Sequence, residues 1–158
     1  MIKRIRQFLI YLFSSLSCQD IEYIDKKLDN NIKYVFLKLS KYEKKHSILV
    51  AQAVEKEFKN DPDLVVAALL HDIGKTKYHI NITQKSLLVV LDHLTKGKLK
   101  KITVNKSINI FYNHGQIGYD ILKNSGYNDR ILFIVKNHHN KNISSDDLSI
   151  IRKFDDMY

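Results

Sequence analysis

Ala67-Ala68-Leu69-Leu70-His71-Asp72-Ile73-Gly74-Lys75 decides how this chain is read. Upstream of it, Asp61-Pro62 is a helix start: an aspartate to cap the first free amides, then proline at the first helical position. Val65, Val66, Ala67, Leu69 and Leu70 carry the helix inward to an adjacent imidazole and carboxylate, where Gly74 is expected to end it. A charged carboxylate at the inner end of an apolar helix is costly unless it is paired or metal-bound. A metal ion is one partner for Asp72. A cap or a salt bridge, with Lys75 as the nearest cation, is the other.

The residues that surround this stretch in sequence are of the same chemical kind. A helix expected from Glu43 to Phe58 places His46 on one face with Leu49, Val50, Ala53 and Val54. His46 therefore projects inward, as a core histidine or as a ligand. Asn128 or Asp129 caps a helix on which Ile131, Ile134, Val135 and His138 share a face. His139 lies about a hundred degrees further round, so both histidines reach one site only where a helix end meets a pocket. A last helix begins near Ser145-Asp146 and turns Leu148, Ile151 and Phe154 inward. Asp155 follows Ile151 by one turn on that face, whereas Asp156 follows Arg152 and Lys153 on the polar side. His114 is expected at the start of a helix running through Leu122 and ending near Gly126. His79 and His93 belong to no such grouping.

Elsewhere, Ile21 to Leu28 reads as a short helix or turn, and Asn30-Asn31 as the cap of a helix carrying Ile32, Val35, Phe36 and Leu39. Ser40 to Tyr42 is a junction. Ser86 to Leu94 is a helix closed by Gly97, and Lys96, Lys98, Lys100 and Lys101 form a basic run suited to a solvated loop. Met1 to Ser17 carries Ile2, Ile5, Leu9, Leu12 and Leu16 at helical spacing. It is read as an amphipathic helix packed on the domain, in preference to one lying on a membrane surface. It lacks the cleavage site of a signal peptide and is too short to span a bilayer.

Length and composition set the frame. The 158 residues, 44% hydrophobic with a single proline, suit one domain with a substantial core. Alternating strand patterns are nearly absent, so the fold class is all-α. A net charge of +9 attracts phosphate-bearing molecules, nucleic acid or an anionic membrane, although a Lys-, Asn-, Ile- and Tyr-rich composition also arises from AT-rich coding. One cysteine, Cys18, excludes an intramolecular disulfide and a cysteine-based zinc site, and a reducing cytoplasm is the simplest home. Glycine-rich phosphate loops, Gly-x-Ser-x-Gly elbows, repeats and linkers are missing from the sequence.

Taken together, His46, His71-Asp72, His114, His138-His139 and Asp155 resemble the HD superfamily of metal-dependent phosphohydrolases, in the variant whose central motif reads His-Asp-Ile-Gly-Lys. The resemblance runs from about Lys38 to the C-terminus and implies a helical bundle around a metal site. It implies that His46, His71, Asp72 and Asp155 bind one metal, and that Asp72, His114, His138 and His139 bind a second, with Asp72 bridging. Lys75 matches the family lysine that meets a substrate phosphate or the attacking water, which makes Asp72 and Lys75 the catalytic pair. Nitrogen-rich mixed ligation favours one or two divalent transition metals among Fe, Mn, Zn, Ni and Co. Such ions would lower the pKa of a water and polarise phosphoryl oxygens.

Two departures narrow the reading. The Gly-Tyr-Pro motif of the family's cyclic dinucleotide phosphodiesterases is replaced by Asn140-Lys141-Asn142, which argues against cyclic-di-GMP. Tyr42 stands where some of those enzymes place a further glutamate, which argues against a third metal. The expectation is therefore a cytoplasmic phosphohydrolase acting on a phosphomonoester, nucleotide or cyclic nucleotide. Its expected partner is a phosphate-containing small molecule, a nucleotide first, with nucleic acid ranked below and a membrane surface last. The alternative is a non-catalytic metal-binding helical module that binds nucleotide or RNA.

Overall fold

The computed structural model describes residues 15–80, 82–101 and 105–158. Residues 1–14 of the amphipathic helix expected over Met1–Ser17 lie outside them. Ser17 itself opens the next element. Its hydroxyl caps α1 (Cys18–Lys27) in a capping box with Asp20, so the break expected at Ser17–Asp20 is a helix start. Asp20 is buried and takes the Lys45 ammonium at 2.7 Å, which ties α1 to the helix that carries Lys45.

α2 (Asn30–Phe36) is capped by Asp29, whose carboxylate accepts from the Asn31 and Ile32 amides, rather than by Asn30-Asn31. A side-chain oxygen one position earlier reaches both orphan amides, at 2.9 and 3.1 Å. α3 (Lys41–Glu57) starts two residues before its expected start, because Ser40 and Glu43 complete another capping box. α4 (Pro62–Leu70) starts as expected, with the Asp61 side chain on the Leu64 amide and Pro62 at the first position.

α5 (Ile82–Thr95) is closed by Gly97, whose φ of +77° and N–H, donating to the Asp92 carbonyl, make the left-handed closure that glycine favours. α6 (Lys106–Leu122) begins at the Asn105 cap, so His114 lies in mid-helix and not at a helix start. The two glycines at 115 and 118 do not interrupt it. α7 (Asp129–Asn137) is capped by Asn128, and α8 (Asp146–Asp155) by Ser145. The described residues contain eight α-helices, short 3-10 segments and no strand, so the protein is all-α.

α4 runs through the centre, packed between α3 and α7, with Leu64, Val65, Ala67, Ala68, Leu69 and Leu70 all buried. Such a helix, apolar on every side, is stable only when covered all round. α8 closes the bundle against α3 through Leu148, Ile151 and Phe154. Among the described residues no helix is long and apolar enough to cross a membrane.

Candidate metal centre

The α-helix of α4 stops at His71, and a 3-10 helix follows over Ile73–Lys77. Gly74 does not end α4 as a left-handed cap, since it lies inside the 3-10 turn and its φ is not positive. Its function is close approach. A Cβ there would stand 1.9 Å from the His114 carbonyl oxygen and 2.8 Å from the Gly118 amide nitrogen. With only hydrogen at that position, the turn carrying Asp72 and Lys75 lies directly on the α6 backbone. Also on α6, a Cβ at Gly115 would stand 2.6 Å from the Lys136 carbonyl oxygen, so α7 lies close against it as well. Two glycines therefore bring His71-Asp72, His114 and His138-His139 to one place.

All seven expected ligand residues converge there. Nitrogen or oxygen atoms of Asp72, His114, His138 and His139 lie within 4.8 Å of one another, and so do those of His46, His71 and Asp155. Asp72 lies between the two groups. Its Oδ1 is 3.3 Å from His114 Nε2 and 3.9 Å from His138 Nε2, while its Oδ2 is 3.6 Å from His71 Nε2. Asp155 Oδ1 is 2.9 Å from His46 Nε2 and 3.6 Å from His71 Nε2. Metal–ligand bonds of about 2.1 Å would set neighbouring donors about 3.0 Å apart in an octahedron and about 3.4 Å in a tetrahedron.

The imidazoles are oriented by backbone. Nδ1–H of His71 donates to the Ala68 carbonyl at 2.7 Å, that of His114 to Ile110 at 3.0 Å and that of His138 to Val135 at 2.8 Å. A carbonyl can only accept, so in each neutral ring the proton is on Nδ1 and the Nε2 lone pair is left for the centre. This is the outer-shell arrangement that metal-ligating histidines use. His138 Nε2 and His114 Nε2 face each other at 3.2 Å, two lone pairs with no proton between them when both rings are neutral. His71 Nε2 and Asp72 Oδ1 are buried without a hydrogen-bond partner. Unsatisfied buried acceptors that converge fit a divalent cation, which would satisfy all of them at once. His46 differs, because its Nδ1 is buried without a partner and its ring stacks on Tyr42 at 5.9 Å between centroids.

The electrostatics divide the site. Burial alone would raise the Asp72 carboxyl, but Lys75, His71 and His114 hold it well below the usual carboxylate range. Burial is likewise overcome at Asp155, which the nearby imidazoles of His46 and His71 hold low. Burial, reinforced by the neighbouring imidazoles His139 and His114, pushes His138 well below its ordinary value and keeps it a neutral donor. Lys75 sits 2.5 Å from Asp72 Oδ2 with a partly exposed side chain. Burial works against its charge, yet Asp72 and Glu43 raise its pKa and keep it an ammonium.

Sequence reasoning missed Arg152, assigned there only to the polar side of α8. Its guanidinium donates to the carbonyls of His138 at 2.7 Å, Asn140 at 2.8 Å, and Asn137 and Ile143 at 3.1 Å. It thereby caps α7 and fixes the turn bearing His138 and His139. Glu43, expected only near a helix start, is buried and contributes to the field at Lys75. His79 and His93 are exposed and stand apart, as their spacing implied.

The family model for the HD domain matches residues 44–156, the span from α3 to the end of α8. No curated protein and no solved structure gives a significant match. Most members of that family are hydrolases, and HD domains bind divalent metals. With more than two thirds of its length matched and the His-Asp pair at the centre of two buried donor groups, this chain belongs to the HD-domain family.

Proposed function

We propose that the protein is a metal-dependent phosphohydrolase acting on a phosphomonoester, nucleotide or cyclic nucleotide. The observation that carries the reading is Asp72, a buried carboxylate whose two oxygens are shared between two converging donor groups. His46, His71, Asp72 and Asp155 would hold one divalent transition metal ion, and Asp72, His114, His138 and His139 a second. Ions bound there would supply the charge that lowers the pKa of a water and draws density from phosphoryl oxygens.

The chain's own residues do the rest. Asp155 and Asp72 provide the negative charge of the site, with the Lys75 ammonium against Asp72. The backbone carbonyls of Ala68, Ile110 and Val135 hold three imidazoles in the donor tautomer. Lys75, at the boundary between Asp72 and solvent, would meet a phosphoryl oxygen as negative charge builds there. The attacking oxygen comes from water, so no serine or cysteine takes part.

Elemental analysis of anaerobically purified protein, followed by a phosphate-release screen over nucleotides and phosphomonoesters, tests the reading. Bound Fe, Mn, Zn, Ni or Co that is lost in His71→Ala and Asp72→Ala, with phosphate release lost alongside, is the expected outcome. The Lys75–Asp72 ion pair, which neutralises the carboxylate with an ammonium, favours a second reading that differs from the metal-binding module expected above, a binding module without metal. Metal content at background, with no phosphate released from any ester, would establish that module instead.

A further inference from the structure

α5 turns apolar side chains outward. Six large hydrophobic side chains are exposed among the described residues, and four of them belong to this helix: Leu87 (58%), Val89 (46%), Val90 (54%) and Leu94 (70%). At 100° per residue these four and the exposed His93 share about 160° of the helix circumference. The other side is engaged. Leu88 is buried, Leu91 and Asp92 are half-buried, and the Tyr112 hydroxyl of α6 donates to the Asp92 carboxylate. α5 thus packs on α6 and on the 3-10 turn Lys98–Lys101 that follows it, and the apolar stripe is left on the outside.

Hydrophobic residues scattered singly over a surface need no account, but a contiguous stripe marks a contact. Charge decides what covers this one. The stretch from Ile82 to Lys101 carries five lysines against one carboxylate, Asp92, which is already bonded to Tyr112. Lys96 and Lys98, both exposed, follow directly on the C-terminal end of the stripe. A second copy of the chain would bring the same stripe and the same lysines, with no acidic group on the stripe to meet them. Residues 1–14 contain Lys3, Arg4 and Arg6 and no acid, so they too would bring cations to cations. An anionic lipid surface supplies both complements at once: an acyl boundary for leucine and valine, and negative headgroups for the ammonium groups beside them. At 14 residues the helix is too short to span a bilayer and would lie in the plane of its surface.

We infer that α5 docks on an anionic membrane surface, with Leu87, Val90 and Leu94 in the acyl boundary and Lys96 and Lys98 at the lipid phosphates. This reverses the order of partners expected from the sequence, where the side of α5 that α6 leaves uncovered cannot be seen. It stands apart from the reaction at the metal centre.

Co-sedimentation of the full chain with phosphatidylcholine vesicles, with and without phosphatidylserine, tests the contact. Wild type should bind the anionic vesicles more than about tenfold more tightly than the neutral ones, from two lysines at about fivefold each, and should be released as salt screens them. Leu87→Gln/Leu94→Gln should weaken binding to the anionic vesicles by about tenfold or more, since two largely exposed leucines lose their burial there. Lys96→Gln/Lys98→Gln should weaken it by about fivefold per lysine. All four side chains are exposed, so both variants should melt as wild type does. A Tm lowered by Leu87→Gln/Leu94→Gln would mean that the chain itself covers the stripe. A dimer in sedimentation velocity that this variant abolishes would mean that a second copy covers it. Either result overturns the inference. So does failure to bind anionic vesicles, or binding that survives the leucine variant and is lost instead in Leu9→Gln/Leu12→Gln, which would assign the contact to residues 1–14.

Discussion

Replacing Gly74 by alanine would add one methyl group where the 3-10 turn lies on α6. The new Cβ would stand 1.9 Å from the His114 carbonyl oxygen, 1.5 Å inside the 3.4 Å at which ordinary contact begins. The two nearest atoms, that oxygen and the Gly118 amide nitrogen, are both backbone, so no side chain can swing away. Overpacking typically costs about 1–3 kcal/mol, and a rigid backbone neighbour puts this case at the upper end. For a chain of this size about 3 kcal/mol corresponds to a fall of roughly 6–12 °C in Tm. The turn must also retreat by roughly the missing distance, carrying Asp72 away from His114 Nε2, now 3.3 Å apart. Displacement of about 1 Å in a reacting constellation costs on the order of a hundredfold in rate. Thermal unfolding with and without chelator, metal titration and phosphate release measure these effects. Gly126→Ala is the control, since φ there is +79° with nothing within 4 Å of the new Cβ. It should cost roughly 1–2 kcal/mol of backbone strain and leave metal binding alone. A Gly74→Ala protein that melts within about 2 °C of wild type and binds metal as tightly would refute the close-packed turn, taking ~1 kcal/mol as 2–4 °C.

Arg152→Met removes four hydrogen bonds to the turn after α7; at about 1 kcal/mol for each of the three partly buried ones, Tm should fall by roughly 6–12 °C. Metal affinity should drop with it and be regained only in part by Arg152→Lys. Asp155→Asn should lose metal and activity while Asp156→Asn, at an exposed cap position, stays near wild type; the reverse would mean that α8 is rotated. Lys75→Ala should keep its metal and slow turnover about a hundredfold. Without metal it leaves the Asp72 charge less compensated, so its chelated form should melt lower than chelated wild type. Asp20 supplies a pH test: burial opposes its ionisation, but Lys45 and the Ser17 cap lower its folded pKa. Its stabilisation is present above the unfolded value of about 3.9 and is lost as pH falls through the folded one. The gap in urea-unfolding stability between wild type and Asp20→Asn should therefore be open at pH 7 and close below about pH 4; a gap that persists at pH 2 would mean that the pair contributes through packing instead.

The directions of His46, His138 and Asp155 were legible in the sequence, because which way a helical side chain projects is a local property of period 3.6. Asp61-Pro62, Gly97 and Ser145 announced helix ends for the same reason, through bonds made within a few residues. His114 was misplaced because the apolar run Ile108–Tyr112 hides a helix whose start is signalled only by Asn105. Gly74 was read as a helix terminator, since nothing in its neighbours discloses that another backbone lies against it. Tertiary structure alone decided which Asp72 oxygen faces which group, and that Lys75 sits on one of them. It also decided the task of Arg152, whose four partners are backbone carbonyls that every sequence contains. A residue's own turn sets where its side chain points; the distance to what it meets is set by how closely two helices can approach, and that depends on atoms far away along the chain.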